Sequence, residues 1–196
     1  ARLYDEKEDR VRDLEIANRR LTTLREIDAH IASSTELKLT LPMLIDKTIN
    51  HLNVDAVRIS QYQSEYQNLK QLAIAGFQIP SSTRPLMRLG EGLTGKVIAE
   101  RSMLHITDLQ NAPEARNEVL LRREGFVTYI GIPLVVKGQL KGVFEVFHRA
   151  PLYPAEHTME FLQTLAGQAA IAIDNSQLVD DLQRSNQDLM MAYDKT

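Results

Sequence analysis

The hydrophobic period of this chain changes twice, and that change limits its possible folds more than any single motif. Near both ends apolar residues recur every three or four positions, as in Leu14, Ala17, Leu21 and Leu24, and again in Leu178, Leu182 and Leu189. Between Val54 and Arg149 several short runs instead alternate apolar and polar residues at a period of two. Three-four spacing predicts helices with one apolar stripe, and alternation predicts half-buried strands. Helix, strands joined by tight turns, then helix predicts an α+β chain with an antiparallel sheet.

The stripe of residues 1–32 continues to Ile31, with Asp28 breaking the seam, and Ser33, Ser34 and Thr35 interrupt it. Thr40 is an expected N-cap for a second helix, with Pro42 in its first turn and Leu41, Leu44, Ile45, Ile49 and Leu52 on its inner face. Val54–Gln63 and Leu69–Ala75 read as strands around a polar turn, followed by a loop marked by Pro80 and Pro85. A glycine-rich turn leads into a helix over Leu93–Arg101, then a brief strand at Met103–Ile106. Residues 108–125 read as a loose helix ending at Gly125, and Phe126–Val136 with Gln139–Arg149 as a hairpin turning at Lys137-Gly138.

From Pro154 the pattern is helical. Phe161, Leu162, Leu165, Ala169 and Ile173 are expected to face the sheet. A second row, Ile171, Asn175, Leu178, Leu182, Ser185, Leu189 and Ala192, keeps three-four spacing. The domain reading is therefore an N-terminal signalling helix over 1–35, a central domain over 36–175 and an output helix over 176–196. Stripes of this kind need a partner. The expected partner is a second copy, in a homodimer through both flanking helices, parallel or antiparallel; the alternative is packing on the chain's own domain. The chain opens on Ala1 and closes inside a helical pattern, so it is read as part of a longer protein with a downstream output domain.

Composition removes several function classes. A net charge of −3 without a clustered basic face gives no nucleic-acid footprint. With no cysteine there are no disulfides, thiolate nucleophiles or thioether-linked chromophores. No apolar run reaches the roughly 18–20 residues of a membrane span. The N-terminus is too charged for a signal peptide, and a cytoplasmic location is expected.

Gly90-x-Gly92-x-x-Gly95 is the sharpest local pattern. As a dinucleotide fingerprint it lacks a following parallel strand and a suitably placed acid, since Asp108 comes too soon. As a P-loop, Gly95-Lys96 is followed by Val97, which cannot hold magnesium. The glycines are better read as a tight turn that brings a helix N-terminus toward the sheet, where its free N–H groups favour an anion. The histidines (His30, His51, His105, His148, His157) show no metal-ligand spacing, and no nucleophile-base set can be assembled, so neither a metal nor catalysis is expected. Glu145 is more informative. It lies between Val143 and Phe147, and if those face inward so does the carboxylate, which then needs a partner such as Arg58 or a ligand.

Three blocks in order resemble the GAF family: Leu89–Val97, His105–Asp108 and Gly131–Val143, closed by a helix at Leu165–Asn175. The resemblance implies a six-stranded antiparallel sheet with helices on one face and a pocket under a lid on the other. It places pocket positions at Arg58, Ser60, Ile74, Ala75, Leu93, Thr94, Asp108, Arg116, Thr128, Ile130 and Glu145. It implies a regulatory module, not an enzyme, that binds a small polar or anionic molecule and no other cofactor. The alternatives are a purely structural dimerisation module with a self-filled pocket, or a cyclic-nucleotide-binding regulatory domain. The Asn-Lys…Phe…Asp-Glu signature of cyclic-nucleotide-binding relatives is absent. The run Asp188–Thr196 resembles the segment that precedes HD-GYP phosphodiesterase domains.

Overall fold

The computed structural model describes residues 36–80 and 92–193; the helix expected over 1–32 and Gly90 of the glycine turn lie outside them. Residues 37–174 form one compact unit, and residues from Asn175 onward belong to a second.

Helix α1 runs over 36–52. It is already helical at Glu36, so Thr40 is an interior residue and not the N-cap, and Pro42 lies past the first turn. The earlier start follows from packing, since Leu37 rests on the core beside buried Leu41, Leu44, Ile45 and Leu52. Strands β1 (Ala56–Gln63) and β2 (Asn68–Ala75) form the first hairpin. Helix α2 covers Gly92–Glu100 and β3 covers Leu104–Ile106. The expected loose helix over 108–125 is instead a 3-10 turn at Pro113–Ala115 and a five-residue helix α3, Val119–Arg123. Strands β4 (Thr128–Val136) and β5 (Gln139–His148) follow, then helix α4, Glu156–Tyr193. Lys137 and Gly138 both take positive φ, 50° and 78°. Two such residues make the two-residue hairpin turn that matches strand twist.

Among the described residues the sheet has five antiparallel strands, ordered β2-β1-β5-β4-β3. The sixth strand implied by the resemblance is absent among them, and each of the five period-two runs accounts for one strand. Helices cover both faces, not one. On the first face α1 and the beginning of α4 pack on Val57, Ile59, Ile130, Ile132, Phe144 and Val146. Leu162, Leu165, Ala169 and Ile173 are buried there as expected, but Phe161 stays at the edge, its ring 4.1 Å from that of His51. On the second face α2 and the 108–126 segment pack on Ala56, Tyr129, Val143 and Phe147. The layers part cleanly because successive strand residues point to opposite faces.

Candidate functional site

The second face of the sheet carries a charged cluster in the middle of its apolar packing. Arg58 on β1 and Glu145 on β5 stand directly opposite each other in the antiparallel register. Both are buried, at 7% and 0% exposure. Arg58 Nε donates to Glu145 Oε2 at 2.6 Å. The other carboxylate oxygen, Oε1, accepts from Thr94 Oγ1 on α2 at 2.6 Å and from the Tyr129 hydroxyl on β4 at 2.9 Å. The guanidinium also lies over the Phe147 ring, 5.3 Å from its centroid. Four elements thus meet at one carboxylate.

Burial of charge here is tolerable because each charged group has partners. Burial by itself disfavours the Arg58 cation, and the adjacent Glu145 carboxylate more than offsets it, so its pKa is raised. Burial, and then the Glu145 charge, push the Tyr129 phenol well above its ordinary value of 10. At neutral pH the phenol is therefore a fixed donor. Ser60, two residues along β1 from Arg58 and on the same face, is also buried, and its Oγ has no hydrogen-bond partner among the described residues.

The glycine turn delivers α2 to this cluster. Gly92 has a φ of 66°, a conformation that side chains rarely adopt, and a Cβ there would collide with the Glu118 carboxylate. Glu118 Oε1 accepts from the Leu93 backbone N–H at 2.9 Å. The helix N-terminus does attract an anion, as its dipole requires, and that anion is the chain's own glutamate.

The sequence-derived pocket positions divide into three groups. Arg58, Ser60, Leu93, Thr94 and Glu145 come together as described, and half-buried Ile74 stands beside Arg58 on β2; Ala75, opposite Val57, packs on the core of the other face. Thr128 and Ile130 do not join them. Ile130 is in the core of the opposite face, and Thr128 Oγ1 binds the chain between β5 and α4, donating to Ala150 O at 2.8 Å and accepting from Leu152 N at 3.0 Å. Asp108 and Arg116 are exposed. Asp108 instead accepts from Gln110 N, Asn111 N and Asn111 Nδ2 in a local turn. The Asn111 amide, outweighing slight desolvation and helped by the two backbone N–H groups, holds its pKa below the usual value.

A bulge on β5 explains which β4 residues reach the cluster. Counted back from Lys137-Gly138 along a regular hairpin, Ile130 would pair with Glu145. Val135 pairs with Leu140 but Leu134 pairs with Gly142, leaving Lys141 of β5 as the extra residue, so Gly131 takes that place and Tyr129 pairs with Phe147. One extra residue inverts the faces of everything beyond it. Tyr129, Glu118 and Phe77, whose ring centroid lies 6.0 Å from the Arg58 guanidinium, were missed for this kind of reason: their roles depend on register and on loop-to-helix contacts. Glu124 was missed as well. It is 3% exposed, accepts from the backbone N–H of Gln78 and Ile79, and pairs with Arg149 at 3.3 Å.

A groove of about 850 Å³ lies on the other side of the sheet, between α1 and α4, lined by Leu39, Met43, Lys47, Phe161 and Gln168 among others. Among the described residues no group of three or more His, Asp or Glu is placed to hold a metal ion, and no helix is long and apolar enough to cross a membrane.

A sheet in this order, with two long helices on one face and a glycine-turn helix on a buried ion pair at the other, matches a known family. The model of the GAF domain covers residues 36–173. The chain belongs to the GAF family. The chain is 24% identical over 189 residues to a Nif-specific regulatory protein of Herbaspirillum seropedicae, a match that covers 90% of this chain and 35% of that protein. It is 27% identical over 158 residues to the phosphoenolpyruvate-dependent phosphotransferase system of Escherichia coli K12, which covers 81% of this chain and 21% of that one. The chain thus spans about a third and a fifth of these relatives. The GAF domain of a phosphoenolpyruvate-protein phosphotransferase from Coxiella burnetii superposes with a TM-score of 0.64 at 20% identity, over 79% of this chain and 96% of that domain. GAF homologues therefore occur in regulatory proteins, and the fold is theirs.

Proposed function

We propose that this GAF domain is the regulatory module of a longer signalling protein, acting first as a dimerising element that sets the spacing of its flanking helices. One observation carries this reading. The polar groups that a pocket ligand would use are bonded to one another: Arg58 to Glu145, Glu145 to Thr94 and Tyr129, and Glu118 to the α2 N-terminus. A self-satisfied centre stiffens the domain and leaves output to the helices. Exposed Leu178, Leu182 and Leu189 on α4 supply the apolar row that a second copy would cover. An output domain beyond the helix, of HD-GYP or another type, belongs to this proposal. Sedimentation of the intact chain tests it: a dimer is expected, and a strict monomer at high concentration rules the reading out.

Ligand sensing is the second reading, and unpartnered Ser60 Oγ beside Arg58 favours it. A small anionic or polar molecule would bind there by taking Arg58 from Glu145. Thermal melts against a panel of nucleotides, phosphates and carboxylates test this. A ligand that raises the melting temperature of the parent and not of Arg58→Met supports sensing. No stabilisation by any member sets it aside in favour of the structural role.

A further inference from the structure

From Asn175 onward helix α4 carries the row Asn175, Leu178, Leu182, Ser185 and Leu189, spaced three and four. Leu178, Leu182 and Leu189 are 52%, 65% and 56% exposed. We infer that this row is the seam of a parallel, in-register, two-stranded coiled coil with a second copy of this chain, its register set by Asn175. The inference rests on the dimeric reading above and specifies its geometry.

Three features select that partner and that direction. The spacing puts Asn175, Leu182 and Leu189 at the first core position of the heptad and Leu178 and Ser185 at the second. The positions flanking the seam on one side are Asp181 and Asp188, both exposed; on the other they are Val179 and Asn186. In a parallel pair each flanking acid meets the uncharged side of its twin. In an antiparallel pair the acidic row meets itself, and opposed like charges are destabilising. Asn175 completes the selection. A carboxamide both donates and accepts, so in an apolar seam it is satisfied by an identical carboxamide at the same level, the partner's Asn175. A lone Asn at this heptad position is known to specify register and a two-stranded state at some cost in stability.

The chain has no cysteine, so a single introduced thiol reports only on its own twin. Asn175→Cys, Leu178→Cys, Leu182→Cys, Ser185→Cys and Leu189→Cys are made one at a time in the intact chain and oxidised mildly, with Gln187→Cys, exposed and opposite the seam, as the control. All five seam variants are expected to form covalent dimers, and the control far less. Cross-linking confined to one or two adjacent seam positions means an antiparallel crossing and overturns the inference while leaving the dimer in place. Sedimentation of the same unoxidised proteins separates the two failures, because a monomer overturns the dimeric reading itself. Asn175→Leu is expected to replace the single dimer by a mixture that includes higher oligomers. An unchanged dimer overturns the role given to Asn175.

Discussion

At the scale of single residues, the Arg58–Glu145 pair is the most consequential contact in the domain. Removing one member leaves the other charged and buried. Glu145→Gln or Arg58→Met is therefore expected to cost about 3–5 kcal/mol in urea or guanidinium unfolding. The double variant Arg58→Met with Glu145→Leu is expected to recover most of that loss, since apolar replacements of similar volume remove both desolvation penalties together. If the double variant is as unstable as the sum of the singles, the pair is not an isolated electrostatic unit. Tyr129→Phe removes one donor to Glu145 Oε1 and is expected to cost about 1.5 kcal/mol at neutral pH, the range for a bond to a charged group. Its pH dependence has a definite sign. The Tyr129 pKa is raised on folding, so the contribution is complete below the ordinary phenol value and falls as pH rises past it. The stability difference between the parent and Tyr129→Phe should shrink above about pH 10. Residue types in the sequence pointed to Arg58 and Glu145, because a charge inside an apolar strand needs an explanation. Tyr129 carried no such signal.

At the scale of elements, α2 is held at its N-terminus by a residue 25 positions further on. Glu118→Ala should cost about 0.5–2 kcal/mol, as the loss of a helix cap does, with faster amide exchange in the first turn of α2. Unchanged exchange at Leu93 would show that Glu118 is dispensable to the helix. The turn at Asp108 gives a second test. Its carboxylate is held below the usual pKa, so whatever it adds is present above the unfolded carboxylate range and is lost as pH falls through the lower folded value. Asp108→Asn should therefore fall below the parent in melting temperature at neutral pH and converge with it in acid. Element identities were legible wherever periodicity was strong, as in β1, β2, the β4-β5 hairpin and α4. They were not legible over 108–125, where short turns are selected by contacts with α2, including the exposed Lys96–Glu114 pair at 3.2 Å, and not by a repeating pattern.

At the scale of the whole molecule, the sheet divides two different kinds of core. The α1–α4 side is aliphatic packing around one buried ring, Phe144. The α2 side mixes aromatic rings with buried polar groups: Phe147 touches the rings of Phe77, Phe126 and Tyr129 at centroid distances of 5.1, 5.1 and 5.4 Å. Phe147→Ala should cost about 3–5 kcal/mol, the usual range for a buried aromatic, and should loosen the 77–126 side before the other. Hydrogen exchange across both faces measures this; uniform loosening would mean that the two cores unfold as one.

The sequence by itself determined the order of the strands and main helices, the antiparallel sheet and the apolar row on α4, and it marked Glu145 as a charge in an apolar strand whose burial the structure then decided. Each of these follows from local spacing, and a two- or four-residue period needs no knowledge of distant contacts. Only the tertiary structure decided which side of β4 faces α2, because a single extra residue on β5, Lys141, lying opposite the Leu134/Val135 step, reverses the pairing of faces beyond it. It also decided what occupies the α2 N-terminus, because Glu118 reaches it through folding and not through proximity in the chain. The glycine turn was visible from the start as an anion-attracting helix end; that the anion is internal depends on a contact no motif encodes.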